Sequence, residues 1–285
     1  MEKSHTSLSS ITWRSNLLAL LAVAKKDWLH FLRYPVSAVF SVLQPLFWLT
    51  PIYFLGQSFA TQGGNVGFSA YSGTEDYMSF ILLGTVLTNY ISAVFWGMGY
   101  SLKNEMDSGV LESNWLAPTS RPLLLVGRTL ANVSTATLTG AGVLLLSWLL
   151  FGFHVTGNLL AAVAAAVPML IALYGFGFAF AALVLLIREP NTLIDISNFA
   201  ITGLSGSDFP VKALPRFLLP VSFAIPLTYG YDAVRGYLLG TKTILPIQYE
   251  VVILIIFMGV MIPAGYGVFK IVERRCRMFG TLGSH

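Results

Sequence analysis

Residues 159–187 read LLAAVAAAVPMLIALYGFGFAFAALVLLI, with no formal charge anywhere in the run. A helix needs about 20 mostly apolar residues to cross the hydrocarbon of a bilayer, and this run exceeds that length. Pro168 inside it predicts a kink or a tilt. Working outward, residues 129–151 form a similar run whose first half carries Ser134, Thr135, Thr137 and Thr139. Residues 77–100 and 36–59 come before it, the latter opened by Pro35, where the missing N–H of proline costs nothing. Downstream, residues 193–204 are shorter and contain Asp195, and residues 251–269 are the last clear run. The pattern predicts an all-α integral membrane protein with six transmembrane helices.

Composition agrees. Of 285 residues only 11% are charged, against about 25% in soluble domains, and the mean hydropathy is +0.71. Such a chain cannot cover itself with a water-compatible surface. The 13% of aromatic residues suit the two bilayer interfaces, where Trp and Tyr gather. A net charge of +4 is too small and too scattered to argue for nucleic acid. The single cysteine, Cys276, excludes an internal disulfide, and His5, His30, His154 and His285 show no metal-ligand spacing. No cleavable leader is read near the N-terminus, because Lys25, Lys26 and Asp27 interrupt the first apolar material.

Lysine and arginine set the expected orientation. Lys3, Arg14, Lys25, Lys26 and Arg33 precede the first span; Lys103, Arg121 and Arg128 follow the second; Arg188 follows the fourth; Lys270, Arg274, Arg275 and Arg277 follow the last. The 60–76 connection carries only Glu75 and Asp76, and the 152–158 connection carries only His154. Every second connection is positive, so both termini are expected in the cytoplasm. The exception is 208–250, placed outside despite Lys212, Arg216, Arg235 and Lys242. Its apolar runs 217–225 and 229–239 are each too short to cross, and Pro210, Pro215, Pro220 and Pro226 break it. Two short re-entrant helices are expected there, with a kinked seventh span as the alternative. Residues 13–33 carry Leu17, Leu20, Leu21, Ala24, Trp28 and Leu32 at helical spacing with the basic residues on other faces, which predicts an amphipathic interface helix. The expected organisation is a cytoplasmic start over 1–35, a transmembrane domain over 36–270 with a cytoplasmic segment 101–121 and an external segment 208–249, and a basic cytoplasmic tail over 271–285.

No catalytic constellation emerges from the residues. Asp195 is the acidic residue inside a predicted span, which opens an ion-coupled secondary transporter as one reading; an interfacial position beside Arg188 and Glu189 is the plainer one. Gly240-Thr241-Lys242-Thr243 lacks the order of a phosphate-binding loop, and Asn132-Val133-Ser134 falls on the side where glycosylation does not occur. Gly175, Gly177, Gly265, Gly267 and the alanines of 161–166 suit close helix packing. With no nucleotide loop, uphill transport requires a partner. Residues 103–128, KNEMDSGVLESNWLAPTSRPLLLVGR, are the natural contact. Residues 106–115 suit a short helix with acidic residues toward its start; Ala117-Pro118-Thr119 ends it and Pro122 restarts the chain. An ordinary solvated loop is the alternative.

The pattern E-x-x-x-G-x-L-E followed by A-P-x-S-R-x-x-L-L-x-G-R resembles the cytoplasmic segment of ABC-2 type membrane subunits of ABC exporters. Phe209-Pro210-Val211-Lys212-Ala213-Leu214-Pro215, Ile225-Pro226-Leu227-Thr228-Tyr229 and Arg235-Gly236 resemble the family's region before the last span. The resemblance runs from Trp13 to the basic tail. It implies a coupling helix, making Glu105, Gly109, Leu111, Glu112, Pro118 and Arg121 the contact with an ABC ATPase and its supports. It further implies ATP and Mg on that partner with no cofactor in this chain, no enzyme activity of its own, a second copy of the permease, lipid surroundings, and a multi-pass place in a bacterial or archaeal inner membrane. The implied cargo is a hydrophobic or amphiphilic drug, antibiotic or lipid-like molecule; a polysaccharide or lipid-linked glycan is the alternative. Phe47, Trp48, Tyr53, Tyr90, Phe95 and Trp96 are the aromatic residues expected to line a path, with Phe54 beside them.

Overall fold

The structure, a computed structural model, describes residues 13–59, 66–109, 121–153, 156–187 and 190–278. Regular structure among these residues is helical throughout. Helix α1 spans Trp13–Arg33, α2 Pro35–Phe59 and α3 Val66–Ser72. Helix α4 runs from Tyr77 through a π-helical turn at Trp96–Tyr100 to Asp107, 31 residues in all. Then come α5 (Arg121–Phe151), α6 (Leu159–Leu186), α7 (Pro190–Ser205), α8 (Leu219–Ala224), α9 (Pro226–Leu239) and α10 (Ile247–Met278). Helices α2, α4, α5, α6 and α10 are long and apolar enough to cross a membrane.

Starts and stops follow local chemistry. The Asp76 carboxylate accepts from the Ser79 backbone N–H at 2.9 Å and opens α4, and Asn158 does the same for Ala161 at 3.1 Å to open α6. Pro122 sits in the first turn of α5, where its missing N–H is harmless. That helix begins eight residues before the apolar run does, since its added turns hold Arg121 and Arg128, which hydropathy alone does not count as span.

Helices α4 and α6 form the centre. Phe80, Ile81, Leu82, Ile91, Phe95 and Met98 of α4 are buried with Met169, Leu173, Phe180 and Val184 of α6. The α6–α10 contact depends on glycine: a Cβ on Gly265 would overlap the Gly175 carbonyl, and one on Gly175 would overlap the Met261 backbone. Gly177 lies against Met98 and Val94 of α4, whereas Gly267 faces open space. Without a hydrophobic drive between helices in lipid, such close backbone approach is what holds them.

The helices define two ends. One, the basic end, holds α1, the starts of α2, α5 and α7, and the finishes of α4, α6 and α10. Helix α1 packs against the bundle. The Leu20 backbone lies against Gly127 and the Trp28 indole N–H donates to Ser134 Oγ at 2.6 Å, so it runs alongside the first turns of α5. The other end holds α3, α8 and α9, laced by backbone bonds from Gly157 and Asn158 to Leu238 and Tyr237 (3.0 and 2.9 Å) and from Lys242 to Ser72 (2.8 Å).

Residues 193–204, expected as a span, fall in α7, which is only 16 residues long, about 24 Å at 1.5 Å per residue, and is not one of the five helices, among the described residues, long and apolar enough to cross. It runs antiparallel to α4. Ile194 meets Gly99, the Asn198 amide donates to Ser92 Oγ at 2.9 Å, and Ser207 reaches Gly84. The chain therefore returns from the basic end toward the other end along α4. In the 208–250 segment, α8 and α9 meet at Ile225, which is extended because it precedes Pro226. Neither is long enough to cross on its own.

Candidate functional site

At the basic end, α4 carries its last turn past the apolar run. Lys103 pairs with Asp107 at 2.8 Å, one helical turn on. Gly109, in the left-handed region at φ +66, ends the helix. Met106 and Asp107 thus belong to α4, and the expected short helix does not begin at 106. Leu111, Glu112 and Pro118 lie outside the described residues, and Arg121 begins α5. The Glu105 carboxylate forms an ion pair with the Arg128 guanidinium, and both side chains are shielded, 12% and 17% exposed. Arg128 also donates to the Ser101 carbonyl at 3.4 Å. Glu105 is thereby turned into the bundle, where it clamps the end of α4 to the start of α5. The clamp thus ties together the two helix ends that flank residues 110–120 in the sequence.

Directly above the clamp lies the π-helical turn of α4. Gly97 faces Asn132 and Thr129 of α5, and Gly99 faces Phe180 and Ile194. A π turn inserts one extra residue into the helix and is a common mark of functional positions. Here it turns Trp96 and Tyr100, ring centroids 5.3 Å apart, toward a cavity of 950 Å³ between α1, α2, α4 and α5. Lys26, His30 and Arg33, on one face of α1, line one wall, and Arg128, Asn132 and Thr135 line the other. A second recess, 660 Å³, continues along α2, α4 and α5 and shares Phe31, Trp96, Asn132 and Thr135 with the first.

The aromatic residues expected on a path separate into distinct settings. Trp48 and Trp96 line the second recess. Phe47 is 66% exposed on the outer face of α2. Tyr53 packs on Phe151 at 5.0 Å. Tyr90 donates to Thr137 Oγ1 at 3.1 Å across the α4–α5 contact. Phe95 is buried and stacked on Phe180 at 5.0 Å, inside the protomer instead of on a surface. Asp195 is exposed on α7 and lines neither cavity.

The opposite end is organised by Arg235, which the sequence presents as a positive charge against the orientation rule and as part of the Arg235-Gly236 resemblance. The residue is 2% exposed and its guanidinium sits 3.6 Å over the Phe80 ring. It donates to the Phe80 carbonyl at 3.0 Å, to the Gly206 carbonyl at 2.6 Å and to the Ser207 carbonyl. It thus satisfies carbonyls beyond the end of α7 and fixes α9 to the first turn of α4. Burial lowers its pKa to about 10, so it stays charged at neutral pH. Nearby, the Asp232 carboxylate accepts from Ile244 N–H at 2.5 Å and lies beside Glu250, which accepts from Leu245 N–H at 3.0 Å. Burial pushes the Asp232 carboxyl above the ordinary aspartate range. Lys212 donates to the Thr243 carbonyl at 3.0 Å. Two of the four basic residues that offended the charge rule are therefore absorbed into local structure.

Residues 19–239 match the model of a family described as ABC-2 type transporter. A relative, the daunorubicin resistance ABC transporter permease protein DrrB1 of Streptomyces coeruleorubidus, is 26% identical over 215 residues, covering 74% of this chain and 71% of the relative. The family match spans most of the chain and includes all but the first six residues of α1, the clamp and α9. The chain belongs to the ABC-2 type transporter family.

Proposed function

We propose that this chain is the membrane subunit of an ATP-driven exporter of amphiphilic drugs or antibiotics, working as a dimer with separate ATPase subunits in a bacterial or archaeal inner membrane. In this reading α7 makes the sixth pass, α8 and α9 dip in and return at the outer face, and both termini are cytoplasmic. The observation that carries the coupling is the Glu105–Arg128 clamp. An ATPase that pushes on segment 101–121 meets a segment whose flanking spans move together, since their ends are tied. The force then reaches the π turn and the cavity walls without dissipating in a loose hairpin. Glu112, Pro118 and Leu111 are the proposed contact, and Glu105, Gly109 and Arg121 its supports. The drug cargo rests on the relative that confers daunorubicin resistance.

The test is co-purification of the chain with the ATPase encoded beside its gene, followed by ATP hydrolysis and drug uptake in inverted vesicles. The expected result is a stable complex whose ATP-dependent uptake is lost in Glu112→Arg. Absence of any associated ATPase, together with full transport by Glu112→Arg, would overturn the reading.

A further inference from the structure

The 660 Å³ recess is bounded by three membrane-spanning helices, and each contributes a primary amide: Gln44 from α2, Asn89 from α4 and Asn132 from α5. None of these three amides has a hydrogen-bond partner among the described residues. The hydroxyls around them differ. Ser41, Thr85, Thr135 and Thr139 each donate to a carbonyl of their own helix at 2.7–3.1 Å. Gln44 is exposed and Asn89 and Asn132 are half-buried, so in lipid each amide is left to a partner that enters the recess from outside the chain. No residue lining the recess is charged. Its walls include Phe31, Trp48 and Trp96, flat surfaces suited to stacking. The recess opens through its shared residues into the 950 Å³ cavity at the basic end.

The geometry points to a substrate site inside a single protomer. The three amides receive the hydroxyl and carbonyl oxygens of an uncharged aromatic body, the tryptophans flank its faces, and entry is from the basic end. This deepens the export reading and rests on it: it assigns Gln44, Asn89 and Asn132 as specificity-determining residues and an oxygen-bearing aromatic amphiphile as the substrate class. Amides both donate and accept, so the same three groups serve hydroxyls and carbonyls. A ligand of pure hydrocarbon would leave all three unpaired and is selected against.

Gln44→Leu, Asn89→Leu and Asn132→Leu, singly and combined, test this in the intact exporter held in lipid nanodiscs. Daunorubicin serves as the probe, and binding is read by quenching of tryptophan fluorescence, localised with Trp48→Phe and Trp96→Phe. Each single substitution is expected to weaken binding about 3- to 10-fold, the effect of one lost hydrogen bond, and the triple variant at least about 100-fold. Thermal stability and oligomeric state are expected to be unchanged, because leucine at these positions leaves no partner stranded. Wild-type affinity in the triple variant overturns the site while leaving the export reading intact. A triple variant that dissociates into single copies or melts earlier also overturns it, since the amides would then serve a contact between chains or within the bundle. Failure of the wild-type exporter to bind daunorubicin overturns the drug-export reading and this site with it.

Discussion

Glu105→Gln isolates the clamp between the second and third long helices. The substitution keeps the shape of the side chain and removes its charge, leaving the Arg128 guanidinium with neutral acceptors, the amide oxygen at 105 and the Ser101 carbonyl at 3.4 Å, and no counter-charge. Breaking a fully buried ion pair costs about 3–5 kcal/mol, mostly the penalty of the stranded charge. Here the side chains keep 12% and 17% of their exposure, so water recovers part of that, and a loss of about 2 kcal/mol is expected. At about 2–4 °C per kcal/mol for a chain of this size, the melting temperature should fall by about 4–8 °C. Arg128→Met strands the carboxylate instead and should cost a similar amount. The double variant Glu105→Gln/Arg128→Met strands neither and should lie within about 1 kcal/mol of wild type. The functional readout is the ratio of drug transported to ATP hydrolysed in proteoliposomes. Both single variants should hydrolyse ATP while transporting less per turnover, because the two helix ends no longer move as one. The double variant should regain stability but not the coupling ratio. Single variants that keep both wild-type melting and wild-type coupling would refute the clamp, and so would a double variant no more stable than the singles.

Arg235→Lys should be far from conservative, since one ammonium cannot serve the Phe80, Gly206 and Ser207 carbonyls or stack on the Phe80 ring. A loss of about 3 kcal/mol is expected, with faster cleavage at Lys212 or Arg216 by trypsin added on the side that carries α8 and α9; unchanged melting and unchanged cleavage would count against the staple. Asp232 gives a pH dependence of definite sign. Burial holds its pKa above the unfolded value, so its contribution is full below the ordinary aspartate range and is lost as pH rises through the raised folded value. Melting measured from about pH 4 to about pH 8 should show stability declining with pH, and Asp232→Asn should flatten that slope; an unaltered slope in Asp232→Asn would assign it elsewhere.

Much of the bundle was legible in the residues, for a reason specific to lipid. A spanning helix must be long, apolar and internally hydrogen-bonded, so residues 36–59 and 159–187 announced α2 and α6 within a residue of their observed ends, and residues 77–100 announced α4, which runs two turns further to Asp107. Close packing at Gly175 and Gly265 was legible too, because only a missing side chain permits that approach. The break between α8 and α9 followed from Pro226 alone. The site was less legible. The aromatic path residues were chosen by type, and type does not say which face of a helix meets which neighbour. Phe95 therefore lies in the core while Trp96, one residue on, faces the recess.

The sequence by itself determined that the chain spans a membrane, which end is basic, and that a polar segment hangs between the second and third long helices, since each follows from local length, charge and proline chemistry. Only the tertiary structure decided what the polar groups do. Glu105 and Arg128 stand 23 residues apart, and Arg235 donates to a carbonyl 155 residues away. The recess amides come from three separate helices. Such partnerships arise from helices crossing in space, where a polar side chain in an apolar bundle takes whatever acceptor the packing brings within reach, and hydropathy along one helix carries no record of it.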